Sequence, residues 1–244
     1  MSPARLSHFL SLPLDGPQLA RSWNAFKVAL DGGASLPDGA LRPLGTLHLT
    51  LGVMSLGQQD LARAVDVLKG LRPAELLAEV RRARAQSLAA ASLESSESAS
   101  RQGTAAGAPN EAGRLVLSLG GLQAMASPER TRVLYAVPTD SEGLLQPWAE
   151  RLRQPFIDAG LLAEVNRPLL LHVTVAKSSH LAHRNSKRRG VVMDGRQIIA
   201  RYANHVWADD LSICRIALCR MGVKKIQGPD GMDAHYEVHD EKTF

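Results

Sequence analysis

Hydrophobic and polar positions alternate with a two-residue period in two short stretches, Leu47-His48-Leu49-Thr50-Leu51 and Leu171-His172-Val173-Thr174-Val175. A strand turns successive side chains to opposite faces, so each stretch reads as a β-strand with its aliphatic residues toward the core. His and Thr then share the other face, their Cα atoms about 6.8 Å apart at about 3.4 Å per residue. Other periodicities surround these two strands. His8 to Leu14 reads as a strand ended by Pro13 and the Asp15-Gly16-Pro17 turn. Behind Pro17, the spacing of Leu19, Trp23, Phe26, Val28 and Leu30 predicts an amphipathic helix that Asp31-Gly32-Gly33 stops. A second helical pattern, Leu61, Val65, Leu68 and Leu71, follows Gly57; Pro73 interrupts it, and Leu76, Leu77 and Val80 resume it.

From about Ala83 to Gly113 the chain turns to Ala, Ser, Glu and Gly. Residues 84–113 therefore read as a disordered insertion at a permissive edge, most clearly from Ser92 onward, because little apolar surface is available to bury. Its serines would suit regulation; a neutral expansion is the plainer and favoured reading. Order returns with Arg114 to Leu122 and Thr131 to Val137, which alternate like antiparallel strands. Gly143 to Ala159 reads as a helix carrying Leu144, Trp148, Leu152 and Phe156, capped by Gly160. Asp210 to Met221 reads as one long strand, and a turn at Gly228 to Gly231 leads to a last strand, His235 to Val238. Lys187 to Tyr202 leaves room for a short helix. Strands, hairpins and helices in this mixture indicate an α+β protein.

At 244 residues the chain can form one large domain or two small lobes, and 45% hydrophobic with 22% charged residues is ordinary for a globular protein. No apolar run approaches the roughly 20 residues of a membrane span, and Met1 to Pro17 makes a poor signal peptide. Cys214 and Cys219, five apart in a strand pattern, point to opposite faces and read as reduced thiols, which suits a cytoplasmic or nuclear protein. The net charge of +5 is unevenly spread: Lys177 to Lys225 holds eleven Lys or Arg against three acidic residues. Such a segment favours a polyanion such as RNA, with a solvated surface as the plain alternative. Lys187-Arg188-Arg189 resembles a short nuclear import cluster.

The chemistry concentrates in the paired strands. With eight histidines in the chain, two His-x-Thr pairs inside matching aliphatic frames are uncommon by chance. Two imidazoles on equivalent strands are what a reaction with two proton transfers requires. Metal pairs are weaker candidates: His180 with His183 and His235 with His239 have no matching Cys or carboxylate cluster. Phosphate-loop glycines and a nucleophile elbow do not occur. Phe9, Tyr135 and Trp207 are candidate stacking platforms for a nucleobase, each with a core role as its alternative.

These motifs resemble the 2H phosphoesterases, named for two H-x-[ST]-x-φ motifs, one in each of two similar lobes; His48/Thr50 and His172/Thr174 match both. The chain is most similar to the branch containing the phosphoesterase-like, nuclear-localisation-signal domain of A-kinase anchoring proteins and the activating signal cointegrator subunit. Phe9 to Leu14, His48 to Met54, His172 to Ser178 and Ile216 to Met221 carry that likeness in the expected order. The resemblance implies two pseudo-symmetric lobes, each an antiparallel sheet with helices, enclosing a central cleft within a single domain spanning 1–244.

It also implies catalytic roles for His48 and His172 and phosphate-binding roles for Thr50 and Thr174, with no cofactor. Lys177 is a further phosphate-binding candidate, although strict alternation places it opposite His172. The expected activity is metal-independent hydrolysis of a 2′,3′-cyclic phosphate or a 2′,5′ or 3′,5′ linkage in RNA or a small nucleotide, by a monomer. The other reading is a non-catalytic nucleotide- or RNA-binding regulatory module of the A-kinase anchoring or coactivator type, able to join a protein complex. Kinase anchoring itself is doubtful: the sequence stops soon after its last strand, and the Leu61 to Val80 helix is expected to pack in the core.

Overall fold

The computed structural model describes residues 5–31, 36–95, 114–179, 181, 191–228 and 231–244. In chain order they form β1 (His8–Pro13), α1 (Pro17–Asp31), β2 (His48–Met54), α2 (Gln58–Gly70), α3 (Pro73–Ser95), β3 (Leu115–Ala124), β4 (Val133–Thr139), α4 (Leu145–Asp158), β5 (Leu162–Ala163), β6 (Val173–Lys177), α5 (Arg196–Tyr202), β7 (Val206–Ile213), β8 (Arg215–Gly228) and β9 (Gly231–Thr243). The strands make one antiparallel sheet in the order β7-β3-β4-β6-β2-β1-β8-β9, with β5 paired to the end of β2. The two lobes implied by the motifs are the two four-stranded halves of this sheet. They meet where β6 lies beside β2, so the two motif strands form the seam.

Period-two patterning builds the core. Leu10 and Leu12 of β1, Leu49 and Leu51 of β2, and Val173 and Val175 of β6 are buried, as are Leu115, Leu117 and Leu119 of β3. Helices cover these aliphatic faces. On the β7 side, Trp23 and Phe26 of α1 pack against Trp207, with Tyr202 of α5 completing the group. On the other side α4 packs toward β2, and its buried Trp148 donates its indole N–H to the Pro73 carbonyl at 3.0 Å. Ala64 and Leu68 of α2 and Leu77 and Val80 of α3 are buried too, which places the Leu61–Val80 pattern in the core as two helices broken before Pro73.

Two expectations need correction. Asp210 to Met221 is not one strand: it breaks at Cys214 between β7, which pairs with β3, and β8, which pairs with β1. Pairing on either side of the break belongs to different halves, and Ile213, Ile216 and Leu218 all reach the core, which a single alternating strand would forbid. The Ala/Ser-rich stretch is also not disordered from residue 84. Helix α3 continues to Ser95, because Ala, Arg, Gln and Leu are strong helix formers that need little burial to stay helical. Residues 96–113 of the expected insertion lie outside the described residues. Among the described residues, no helix is long and apolar enough to cross a membrane.

Candidate active site

At the seam β2 and β6 pair antiparallel through Leu49 and Val173. Both side chains are fully buried on the helix-covered face. Alternation therefore sends His48, Thr50, His172 and Thr174 together to the opposite face. The register sets His48 across from Thr174 and Thr50 across from His172, leaving the two histidines diagonal, a relation that typically spans about 7–8 Å. The sequence could align each pair only within its own strand; the sheet brings the two pairs together.

The rings are held alike. His48 Nδ1 lies 2.7 Å from the Thr46 carbonyl, and His172 Nδ1 lies 2.9 Å from the Leu170 carbonyl, in each case two residues earlier. A carbonyl only accepts, so each Nδ1 carries a proton, and Nε2 is the nitrogen of each ring left to exchange one. For His48 the Thr50 hydroxyl donates to that Nε2 at 3.1 Å. Each imidazole also meets the edge of a tyrosine: Tyr236 at 5.3 Å from His48 and Tyr135 at 5.5 Å from His172.

Their surroundings then diverge. His48 is also packed by Phe9 at 4.9 Å, and its pKa is pushed down to about 4. Burial is the largest cause; the Thr46 carbonyl opposes it, while the charges of Arg42, His172 and Lys177 add to it. The influence of His172 on His48 is itself a sign that the two rings share one site.

Lys177 does not follow strict alternation. In the β4–β6 register Leu134 pairs with Ala176 but Tyr135 pairs with Thr174, so Val175 is an extra residue. Val175 and Ala176 are consequently both buried, and the inserted residue reverses the phase beyond it. Lys177 then falls on the face of His172. Its ammonium pKa is lowered, by burial first and by Arg42 second. A bulge of this kind leaves no mark in an alternation pattern that continues through small apolar residues.

Arg42 and Tyr236 escaped the sequence reading. The segment before β2 runs along the free edge of β6: Arg42 N donates to the Val175 carbonyl at 2.9 Å and Lys177 N to the Ala40 carbonyl at 2.7 Å. Arg42 Nη2 then donates to the Tyr236 hydroxyl at 2.7 Å, with the guanidinium 5.9 Å from the ring centroid. Tyr236 belongs to β9, which closes against the Leu44–Thr46 turn; a Cβ at Gly45 would stand 2.9 Å from the Ala234 carbonyl. One available signal was a repeated Arg-Pro-Leu before each motif, Arg42-Pro43-Leu44 and Arg167-Pro168-Leu169. It would have been half right, since Arg167 is exposed and paired with Glu164 at 3.3 Å.

Other candidates fall elsewhere. Trp207 is buried in the α1 core, and buried Ser178 donates its hydroxyl to the Val191 carbonyl. His180, His183 and Lys187-Arg188-Arg189 lie outside the described residues. The basic segment is partly neutralised by its own neighbours: Arg196 pairs with Asp194, Arg215 with Asp15 and Glu241, and Arg220 and Lys224 with Glu237. Cys214 and Cys219 are both free thiols.

A family model described as the AKAP7 2′5′ RNA ligase-like domain matches residues 6–241. The chain belongs to that family. Among solved structures, one described as a phosphoesterase matches with a TM-score of 0.50 and 16% identity, covering 98% of this chain and 97% of its own. LigT of E. coli complexed with NADP+ matches with a TM-score of 0.49 and 16% identity, over 99% of this chain and 98% of that one. No curated protein sequence matches. Family membership and the likeness of fold make this a 2H phosphoesterase fold, and both His-x-Thr pairs lie within the matched range.

Proposed function

We propose that this protein is a metal-independent phosphodiesterase acting on RNA ends or small nucleotides that carry a 2′,3′-cyclic phosphate or a 2′,5′ or 3′,5′ linkage. The observation that carries this reading is the convergence of two identically tethered imidazoles and two threonines on one face of the seam. His48, kept neutral by its burial, is the proton acceptor: its Nε2 takes the proton of the attacking water or sugar hydroxyl. As the new O–P bond forms and the old one breaks, His172, entering the step as the imidazolium, delivers its Nε2 proton to the leaving oxygen. Thr50 releases Nε2 when substrate arrives and, with Thr174, donates to the non-bridging oxygens, whose charge Arg42 and Lys177 balance. A bound phosphodiester anion raises the His48 pKa from its unliganded value, strengthening the base where it is needed.

One observation favours the second reading, a nucleotide- or RNA-binding module without turnover. A histidine held as low as about 4 is a weak proton acceptor unless the ligand restores it. Both readings place a phosphate between the same four side chains. The free thiols of Cys214 and Cys219 suit a reducing compartment, the cytoplasm or nucleus. Hydrolysis of 2′,3′-cyclic nucleotides and of short 2′,5′ and 3′,5′ oligonucleotides in chelator separates the readings. Enzyme activity is expected to fall by about 10² to 10⁴ in His48→Ala and in His172→Ala. Absence of turnover, with mononucleotide binding weakened by either substitution, supports the binding module instead.

A further inference from the structure

Two buried side-chain nitrogens have no hydrogen-bond partner among the described residues, Nε of Arg153 and Nε2 of His8. A buried polar atom left over in this way calls for a water or an ion. Only His8 has a second nitrogen ligand beside it. His8 opens β1 and is 6% exposed; alternation turns it to the face opposite Phe9, and so away from the seam histidines. Its Nδ1 lies 2.8 Å from the Ser7 hydroxyl, whose oxygen also accepts from Leu56 N at 2.9 Å. The ring is thus oriented through one nitrogen, as in metal-ligating histidines, while the other is unspent.

His239 supplies the facing ring. Leu218 pairs with Asp240 but Cys219 pairs with Val238, so His239 is an inserted residue of β9, and a bulge of this kind re-aims a side chain. The two ring centroids stand 4.9 Å apart with 51° between their planes. Sequence spacing sets His239 with His235; the fold gives it His8 instead. His239 is exposed, which leaves its ring free to turn. A metal–nitrogen bond of about 2.0–2.1 Å, with about 1.1–1.2 Å more to the ring centre, puts an ion about 3.2 Å from each centroid. Two centroids at that radius lie about 4.5 Å apart at a right angle and about 5.2 Å apart at the tetrahedral angle. The observed separation falls between these values.

Neighbouring charge sets the class of ion. Arg220 and Glu237 both act on His8, and Glu237 is engaged by Lys224 at 2.9 Å and by Arg220 at 4.0 Å. No group of three His, Cys, Asp or Glu gathers among the described residues. A hard cation such as Mg²⁺ or Ca²⁺, which needs several oxygens, has no ligand set here. An ion that binds through imidazole nitrogen, with water in its remaining positions, does. The geometry points to His8 and His239 as a two-histidine site for a divalent transition-metal ion, Zn²⁺, Ni²⁺ or Cu²⁺, that ties β1 to β9 across β8. Those two strands carry Phe9 and Tyr236 against His48, so the ion braces the His48 half from its far face. The site is independent of the phosphodiesterase reading.

The test titrates the native chain, stripped of metal by chelator and dialysed, with Zn²⁺, Ni²⁺, Cu²⁺ and Mg²⁺ in turn, by calorimetry and by thermal unfolding. Zn²⁺ is expected to bind with a Kd of about 1–100 μM, since two protein ligands hold far less tightly than the four of a structural zinc site. Cu²⁺ should bind more tightly than Zn²⁺ or Ni²⁺, and Mg²⁺ not at all. His239→Asn should weaken Zn²⁺ binding at least tenfold and abolish the rise in Tm that Zn²⁺ gives the native chain. His8→Asn should do the same, whereas His235→Asn should stay within about twofold. Absence of saturable binding of all three transition metals up to about 1 mM, or binding and a Tm rise that His239→Asn leaves intact, overturns the site. Because His239 is exposed, that variant decides the matter even if His8→Asn does not fold.

Discussion

The two halves of the sheet carry the same device in unequal settings. Each half supplies a His-x-Thr strand at the seam, a ring tethered through Nδ1 to a carbonyl two residues back, and a tyrosine edge against the imidazole. Among the described residues, the His48 half adds Phe9 and an arginine bonded to its tyrosine, and His48 lines a cavity. The tyrosine of the other half, Tyr135, instead donates its hydroxyl to Gln123 Oε1 at 2.9 Å, away from any cation. Scaffold symmetry delivers two proton-carrying groups; local asymmetry desolvates one of them, His48, into a neutral acceptor.

The comparison can be broken most severely at the seam itself. Leu49 is fully buried where the halves pair, so Leu49→Ala is expected to cost about 2–5 kcal/mol in denaturant-measured stability. A loss under 1 kcal/mol would mean that the halves do not depend on this contact. Next in size is the contrast between the two arginines of the Arg-Pro-Leu repeats. Arg42→Ala should weaken phosphate binding by about ten- to a hundredfold through loss of a charge-assisted contact. Arg167→Ala, which removes only an exposed ion pair with Glu164, should stay within about twofold in the same titration.

The depressed His48 pKa gives a third handle. The unfolded chain takes up this proton near the ordinary histidine value of 6.5, whereas the folded chain does not until about 4. Between those values the unfolded state binds more protons, so the stability that His48 contributes is lost as pH falls from 6.5 toward 4, by about 1–3 kcal/mol. His8 and His205, both also lowered by burial, act in the same sense. The difference between the native chain and His48→Asn in chemical unfolding across that window isolates the His48 share, and parallel curves would contradict it. The smallest effect expected is that of the tyrosine hydroxyls. Tyr236→Phe removes the acceptor that holds Arg42 and should weaken phosphate binding by about three- to tenfold, while Tyr135→Phe should leave it unchanged.

Legibility from sequence followed the range of the forces involved. Both motif strands, the helices at Pro17, Gln58 and Leu145, and the break before Pro73 were readable because alternation, helical spacing and proline act over a few residues. The division of Asp210–Met221 was not, since Ile213 and Arg215 separate only through pairing with β3 and β1, strands about a hundred and two hundred positions away. Lys177 was placed on the wrong face because Val175 is inserted relative to β4, a two-strand property. Arg42 and Tyr236 meet across nearly the whole chain, |i−j| of 194, and no local pattern announces that contact. The α3 extension to Ser95 was misread for the opposite reason: helix propensity there acts without the apolar pattern that the reading required.

The central claim is that His48 and His172 act as one acid–base unit, and a double-mutant cycle on kcat in chelator tests it most directly. For 2′,3′-cyclic nucleotide hydrolysis, each single alanine variant is expected to lose about 10² to 10⁴ in rate. The His48→Ala/His172→Ala double variant should be scarcely slower than the worse single one, because residues that work as a unit are strongly non-additive. Native-like turnover in either single variant, or losses that multiply in the double variant, would contradict the account.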